Sequence, residues 1–96
     1  MSIHVVLKNP GEKLVHIDVE FTGNVIASVH LSGDFFIYPE EAINDIEQSL
    51  HAMPANKEFL EQKIVELLKN KNIEMVGISS STIVQGIMEA FLQHEN

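Results

Sequence analysis

Five histidines, fourteen carboxylates and six lysines carry the chain's titratable chemistry, and cysteine and arginine are both absent. Without thiols, disulfides, thiolate metal sites, thiol catalysis and Fe–S ligation are excluded. His4, His16 and His30 fall on the polar side of consecutive alternating segments, together with Asp18. Three imidazoles and a carboxylate on one surface have the donor types for a divalent metal, or titrate as a group near pH 6.5. The plainer reading is a solvated sheet face without a metal, and it is the one adopted. His51 and His94 suit helix C-terminal ends, where a partly cationic ring is mildly stabilised. Ser79, Ser80 and Ser81 have no acid or histidine beside them and precede an apolar periodic run, which is the pattern of a helix cap. Glu40 and Glu41 suit a first helical turn, as do Glu58 and Glu61. Glycine occurs singly at 11, 23, 33, 77 and 86, so no phosphate-cradling string exists. No nucleophile stands beside a base, and catalysis by this chain alone is not expected.

Two segments ask for more than a structural reading. Pro10-Gly11-Glu12-Lys13-Leu14 is a tight turn whose lysine opens a strand. Ser32-Gly33-Asp34-Phe35-Phe36 breaks an alternating pattern with two consecutive rings, and one ring of such a pair must point away from the core. In an antiparallel meander both segments lie at the same end of the sheet. A flexible glycine, an acid, an aromatic and a lysine meeting there resemble a docking site. The alternative is that the second ring packs beneath the first helix.

The elements that must position these residues follow from period. Ile3, Val5 and Leu7 alternate with polar neighbours, as do Val15, Ile17, Val19 and Phe21, and then Val25, Ala27, Val29 and Leu31. A loop over Pro10–Glu12 pairs Leu7 with Val15, Val5 with Ile17 and Ile3 with Val19, and sets His4 opposite Asp18. A three-residue loop over Thr22–Asn24 pairs Val15 with Leu31, Ile17 with Val29, Val19 with Ala27 and Phe21 with Val25. That register makes His16 and His30 direct neighbours. After Tyr38 the period becomes helical, with Pro39 at a first helical position and Ala42, Ile43, Ile46 and Leu50 on one stripe, ending before Pro54. A second helix over about 57–71 carries Phe59, Leu60, Ile64, Leu67 and Leu68. Ile73–Ile78 is a strand or a loop, and a last helix carries Ile83, Val84, Ile87, Met88, Phe91 and Leu92. The fold class is α+β in two layers: a three-stranded antiparallel meander (3–37), then about three helices (39–94) on its apolar face, all in one domain over 1–96.

Composition bounds the partners. The formal charge of −8 disfavours nucleic acid and anionic membrane surfaces, which call for basic faces. No apolar run approaches the ~20 residues of a membrane span, and the first thirty residues hold no signal-like core, so a cytoplasmic domain is expected.

The Pro-Gly-x-Lys-Leu turn, the meander, the Gly33-Asp34-Phe35-Phe36 string, then Pro39-Glu40-Glu41 and Ile46-Glu47 together resemble the small C-terminal domain of lipoate–protein ligases. In some archaea that domain is a separate accessory subunit of a two-part enzyme. The resemblance runs from about Val5 to Phe91. It implies a fold similar to sulfur-acceptor and Fe–S scaffold proteins, whose cysteine chemistry this chain lacks. It implies no cofactor on this chain, with lipoate, ATP and magnesium on a catalytic partner subunit, and lipoyl-domain proteins as the final acceptors. It also implies a heterodimer in which this chain is needed for lipoyl-adenylate formation. Gly11, Lys13, Gly33, Asp34, Phe35 and Phe36 match the family's strings and are the residues expected to face the partner. Glu12 stands where the family commonly has a second glycine, which puts a carboxylate beside Lys13. A stand-alone binding or regulatory domain on the same scaffold, with the histidine face sensing metal or pH, is the alternative.

Overall fold

The structure, a computed structural model, describes residues 2–95. Alternation in the N-terminal third produces β1 (Ile3–Leu7), β2 (Val15–Thr22) and β3 (Val25–Gly33), an antiparallel sheet in that order. β4 (Phe36–Tyr38), α1 (Ala42–Ser49), α2 (Lys57–Asn70), β5 (Glu74–Val76) and α3 (Ser80–Glu95) follow. The expected α+β arrangement of a meander and three helices is therefore present. α3 lies over β1 and β2, α1 lies over β3, and α2 packs against the other two helices. Ile17, Ile46, Leu60 and Ile87 meet in the core with no exposed surface. α3 crosses the sheet so closely that a Cβ on Gly86 would stand 2.2 Å from Ile17 Cδ1. No helix among the described residues is long and apolar enough to cross a membrane.

The β1–β2 register is the expected one, with Ile3 opposite Val19, Val5 opposite Ile17 and Leu7 opposite Val15. The β2–β3 register is not. Val15 faces Gly33, Ile17 faces Leu31 and Val19 faces Val29, and the pairing shifts at Glu20/Phe21 so that Phe21 faces Ile26. The loop is only Gly23-Asn24, Gly23 taking the left-handed φ of +61° that a tight turn requires. Ala27 is left over as a bulge, which reverses the parity of β3 near the turn. Ile26 is thereby fully buried in place of Ala27, and Val25 turns outward. Burying the larger side chain is worth about 2 kcal/mol, at ~0.8 kcal/mol per methylene, and outweighs the ladder bonds lost at the bulge. The same shift overturns the expected His16–His30 pairing: His30 stands opposite Asp18, and His16 opposite Ser32.

Pro39 is not helical. It follows a strand whose last residue must stay extended, so the chain turns through Pro39-Glu40-Glu41 first, with the Ala42 N–H donating to the Pro39 carbonyl at 2.9 Å. α2 is capped by Asn56, whose side chain accepts from the Phe59 N–H at 3.1 Å. Phe59 itself, expected on the buried stripe, lies one residue round the helix from Leu60 and is exposed. α3 is capped by Ser79, whose hydroxyl accepts from the Thr82 N–H at 3.2 Å, as the serine run implied. The ambiguous stretch before it is β5, which pairs antiparallel with β4 in a separate two-stranded ribbon.

The outer edge of β3 is closed by the chain leaving α1. The Ile26 N–H donates to Met53, the Ala52 N–H to Ile26 and the Ala55 N–H to Asn24, at 2.8–2.9 Å. Farther along that edge, the Leu31 N–H donates to the Glu47 carboxylate at 2.7 Å.

Candidate functional site

The turn before β2 and the segment after β3 meet, as the meander required, and a third segment joins them. The Glu12 N–H closes the turn on the Asn9 carbonyl at 3.0 Å, with Gly11 at φ +79°. The chain then passes between two glycines. The Asp34 N–H donates to the Leu14 carbonyl at 3.0 Å, and the Lys13 N–H donates to the Gly77 carbonyl at 2.8 Å. Gly33, at φ +148°, has room for no side chain: a Cβ there would lie 2.2 Å from the Leu14 carbonyl oxygen. Gly77, at φ +85°, would place a Cβ 2.7 Å from Lys13 Cγ and 3.6 Å from Phe35 Cα. Backbone packed on backbone fixes this junction with few mobile parts.

Glu12 does not turn toward Lys13. Its carboxylate accepts the hydroxyl of Thr82, in the first turn of α3, where a negative charge also suits the helix dipole. Asn9 donates to the same hydroxyl and to Gln85, both at 3.0 Å. These contacts tie the turn to α3 and leave Lys13 exposed, without an ion pair among the described residues. The carboxylate of Glu12, expected beside Lys13, thus has a partner of its own.

Of the two consecutive rings, Phe35 is half-buried against the core and Phe36 points out. Phe36 stacks on Tyr38, with ring centroids 6.3 Å apart and planes inclined by 15°. Val76 lies across the ribbon from Phe36, and Glu74 across from Tyr38, so these four side chains share its outer face, which forms a small ledge. A shallow hollow of 290 Å³ runs beneath, lined by Phe35, Phe36, Ile37, Tyr38, Glu40 and Ile43. Asp34 is exposed beside it. Lys13, Gly33, Asp34, Phe35 and Phe36 are thus brought to one end of the molecule, with Gly11 at the tip of the adjoining turn. Tyr38, Glu74, Val76 and Gly77 join them unannounced. Their signal was the apolar stretch ending in a lone glycine, which shows its meaning only once β5 is paired.

The histidine face is partly assembled. The His4 Nδ1–H donates to Asp18 Oδ1 at 2.7 Å, and His4 Nε2 lies 3.0 Å from His16 Nδ1. One of His4 Nε2 and His16 Nδ1 carries the proton of that contact and the other accepts it. His30 turns instead toward Glu47, 3.8 Å away. No three histidine or carboxylate groups among the described residues converge as metal ligands do.

Comparison with known proteins points one way. Lipoate-protein ligase A subunit 2 of Thermoplasma acidophilum is 28% identical over 74 residues, which span 77% of this chain and 76% of that protein. A solved structure of an archaeal lipoylation system, a bi-partite lipoate protein ligase and its E2 lipoyl domain from the same organism, superposes with a TM-score of 0.70 at 27% identity. That match covers 91% of this chain and 97% of the other. The chain resembles the second subunit of a two-part lipoate–protein ligase. No family model matches it. A likeness over nearly the whole of both chains concerns the entire accessory fold and not one shared motif. The ligase-subunit likeness also suits a junction that offers an amine, a carboxylate and stacked rings on a stiff backbone.

Proposed function

We propose that this chain is the non-catalytic accessory subunit of a lipoate–protein ligase, working in a cytoplasmic heterodimer with a catalytic subunit. The observation that carries the reading is the likeness to ligase subunit 2 over about three quarters of both chains, together with the superposition on a chain of the bi-partite ligase system over 91% of this chain and 97% of that one. On this reading lipoate, ATP and magnesium are held by the catalytic subunit, and lipoyl-domain proteins are the final acceptors. Adenylation brings a carboxylate and a triphosphate, both anionic, into one closed site. A chain of formal charge −8 with no arginine is a poor direct ligand for either. Its contribution is conformational: contacts made only with the closed catalytic subunit raise the population of that state. Among the described residues Lys13 is the one cation at the junction and is free to reach toward the partner.

The test is to measure lipoyl-adenylate formation and transfer with the catalytic subunit alone, this chain alone, and the two mixed. Activity is expected only in the mixture. Equal activity with and without this chain would refute the proposal and favour a stand-alone regulatory domain, for which the His4–His16–Asp18 contacts would be the starting point. In the mixture, Lys13→Ala separates a lysine that touches ligand, where KM rises, from one that only positions the partner.

A further inference from the structure

We infer that this chain docks through the outer face of the β4–β5 ribbon, with Phe36 and Tyr38 as anchors, onto a catalytic-subunit surface that is apolar at its centre and basic around it. The inference rests on the accessory-subunit reading and adds to it a surface, two anchors and a sign of charge.

A ribbon three residues long can bury only alternate side chains. Here Ile37 and Met75 face inward, while Phe36, Tyr38 and Val76 are exposed by 59%, 50% and 45%. Single exposed apolar residues are ordinary on any surface, but three on one small face are a patch. The two rings are already stacked. They are carried by a ribbon pinned at Gly77 to Lys13 and by Ile37 in the core. Anchors held in place before binding lose little freedom on docking.

Among the described residues, three carboxylates border this patch, against the single cation of Lys13 at the Gly77 junction. Glu74 shares the outer face, Glu40 lines the hollow with Phe36 and Tyr38, and Asp34 is exposed two residues before Phe36. Carboxylates around an apolar centre select a partner with lysine or arginine around an apolar recess. A second copy of this chain is a poor match, because it would set carboxylates against carboxylates. Two other apolar regions are exposed among the described residues: Phe59 and Val65 on α2, bordered by Glu58, Glu61 and Glu66 but carrying one ring rather than a stacked pair, and the groove between α2 and α3. That groove has Val84, Met88 and Leu92 flanked by Lys57 as well as Glu61 and Glu89, so its rim carries both signs.

The experiment is titration of the purified catalytic subunit with this chain at two ionic strengths, using Phe36→Ala, Tyr38→Ala, Glu74→Lys and, in the α2–α3 groove, Leu92→Ala. All four side chains are exposed, and thermal melts of each variant establish that it folds. Phe36→Ala and Tyr38→Ala should each weaken binding by about 30-fold or more, as loss of a buried aromatic anchor does. Leu92→Ala should change it by less than about threefold. Wild-type affinity should fall as salt rises, and Glu74→Lys should slow association. Ledge variants that bind like wild type while Leu92→Ala loses binding would overturn the surface and leave the accessory reading standing. Ledge variants that dissolve a homodimer but leave the heteromeric complex intact would overturn the choice of partner. Affinity that does not fall with salt would overturn the charge. Failure of the wild-type chain to bind would overturn the accessory reading and this inference with it.

Discussion

Chemistry-bearing residues collect in two places, and the means of collection are opposite. At the end of the sheet, Lys13 and Leu14 run between Gly33 and Gly77, and main-chain hydrogen bonds with glycine-sized gaps hold the arrangement. On the outward sheet face, His4, His16 and Asp18 hold one another by side chains alone, about half in water. Backbone contacts of the first kind are shared with the fold, so the surface they present is stiff whatever its own side chains do. Side-chain contacts of the second kind compete with solvent and with rotamer entropy. A docking surface needs the first. The second is free to change without cost to the fold.

The sharpest way to break this comparison is Gly33→Ala. The new Cβ would meet a backbone oxygen, which cannot swing aside, at a φ that side chains rarely adopt. The loss should be of the order of 3 kcal/mol, read from the urea midpoint at constant m-value. Near-wild-type stability would show that the junction is looser than its geometry.

Gly77→Ala is the graded version. Its Cβ would meet Lys13 Cγ and Cβ, side-chain atoms near the backbone that a change of rotamer relieves only in part, and the left-handed φ adds to a cost of about 1–2 kcal/mol. Combining it with Lys13→Ala should recover part of that loss. Strict additivity in the double-mutant cycle would mean that the two residues do not share space. Thr82→Val comes next. It removes a buried hydroxyl that donates to Glu12 and accepts from Asn9, and it should cost about 1–2 kcal/mol by leaving Glu12 without that donor and Asn9 with Gln85 alone.

What was legible in the sequence follows the same division between local pattern and distant pairing. β1 and β2 alternate without interruption, so their register could be read from parity alone, and the meeting of the Pro10–Leu14 turn with the Gly33–Phe36 string came with it. The β2–β3 register could not be read that way. One bulged alanine reverses parity, and Val25 and Ala27 looked as apolar as the Ile26 that displaced them. Tyr38, Val76 and Gly77 carry no site signal in the sequence, because β4 pairs with a strand beyond two helices and a three-residue strand has almost no periodicity. Phe59 was misplaced because α2 touches the rest of the protein along a stripe too narrow to include it. The likeness to the ligase subunit rested on short strings that survive in sequence, whereas the ledge exists only after folding.

The smallest expected effect belongs to the histidine face, and it is the most direct check on the comparison. Asp18 accepts from His4 at 2.7 Å, a short contact that looks strong in isolation. Both side chains are well exposed, at 49% and 39%, so water replaces whatever is removed and salt screens whatever charge is present. His4 keeps His16 as a second partner when Asp18 is lost. Asp18→Asn should therefore move the urea midpoint by no more than about 0.5 kcal/mol, and less at high salt. It should also leave binding of the catalytic subunit unchanged, because the outward face of β2 and the β4–β5 ledge belong to different sheets. A loss of 2 kcal/mol, four times that ceiling, would mean that the imidazole–carboxylate chain is held by more than its own exposed contacts. The division between a backbone-built end and a side-chain-built face would then be wrong at its simplest point.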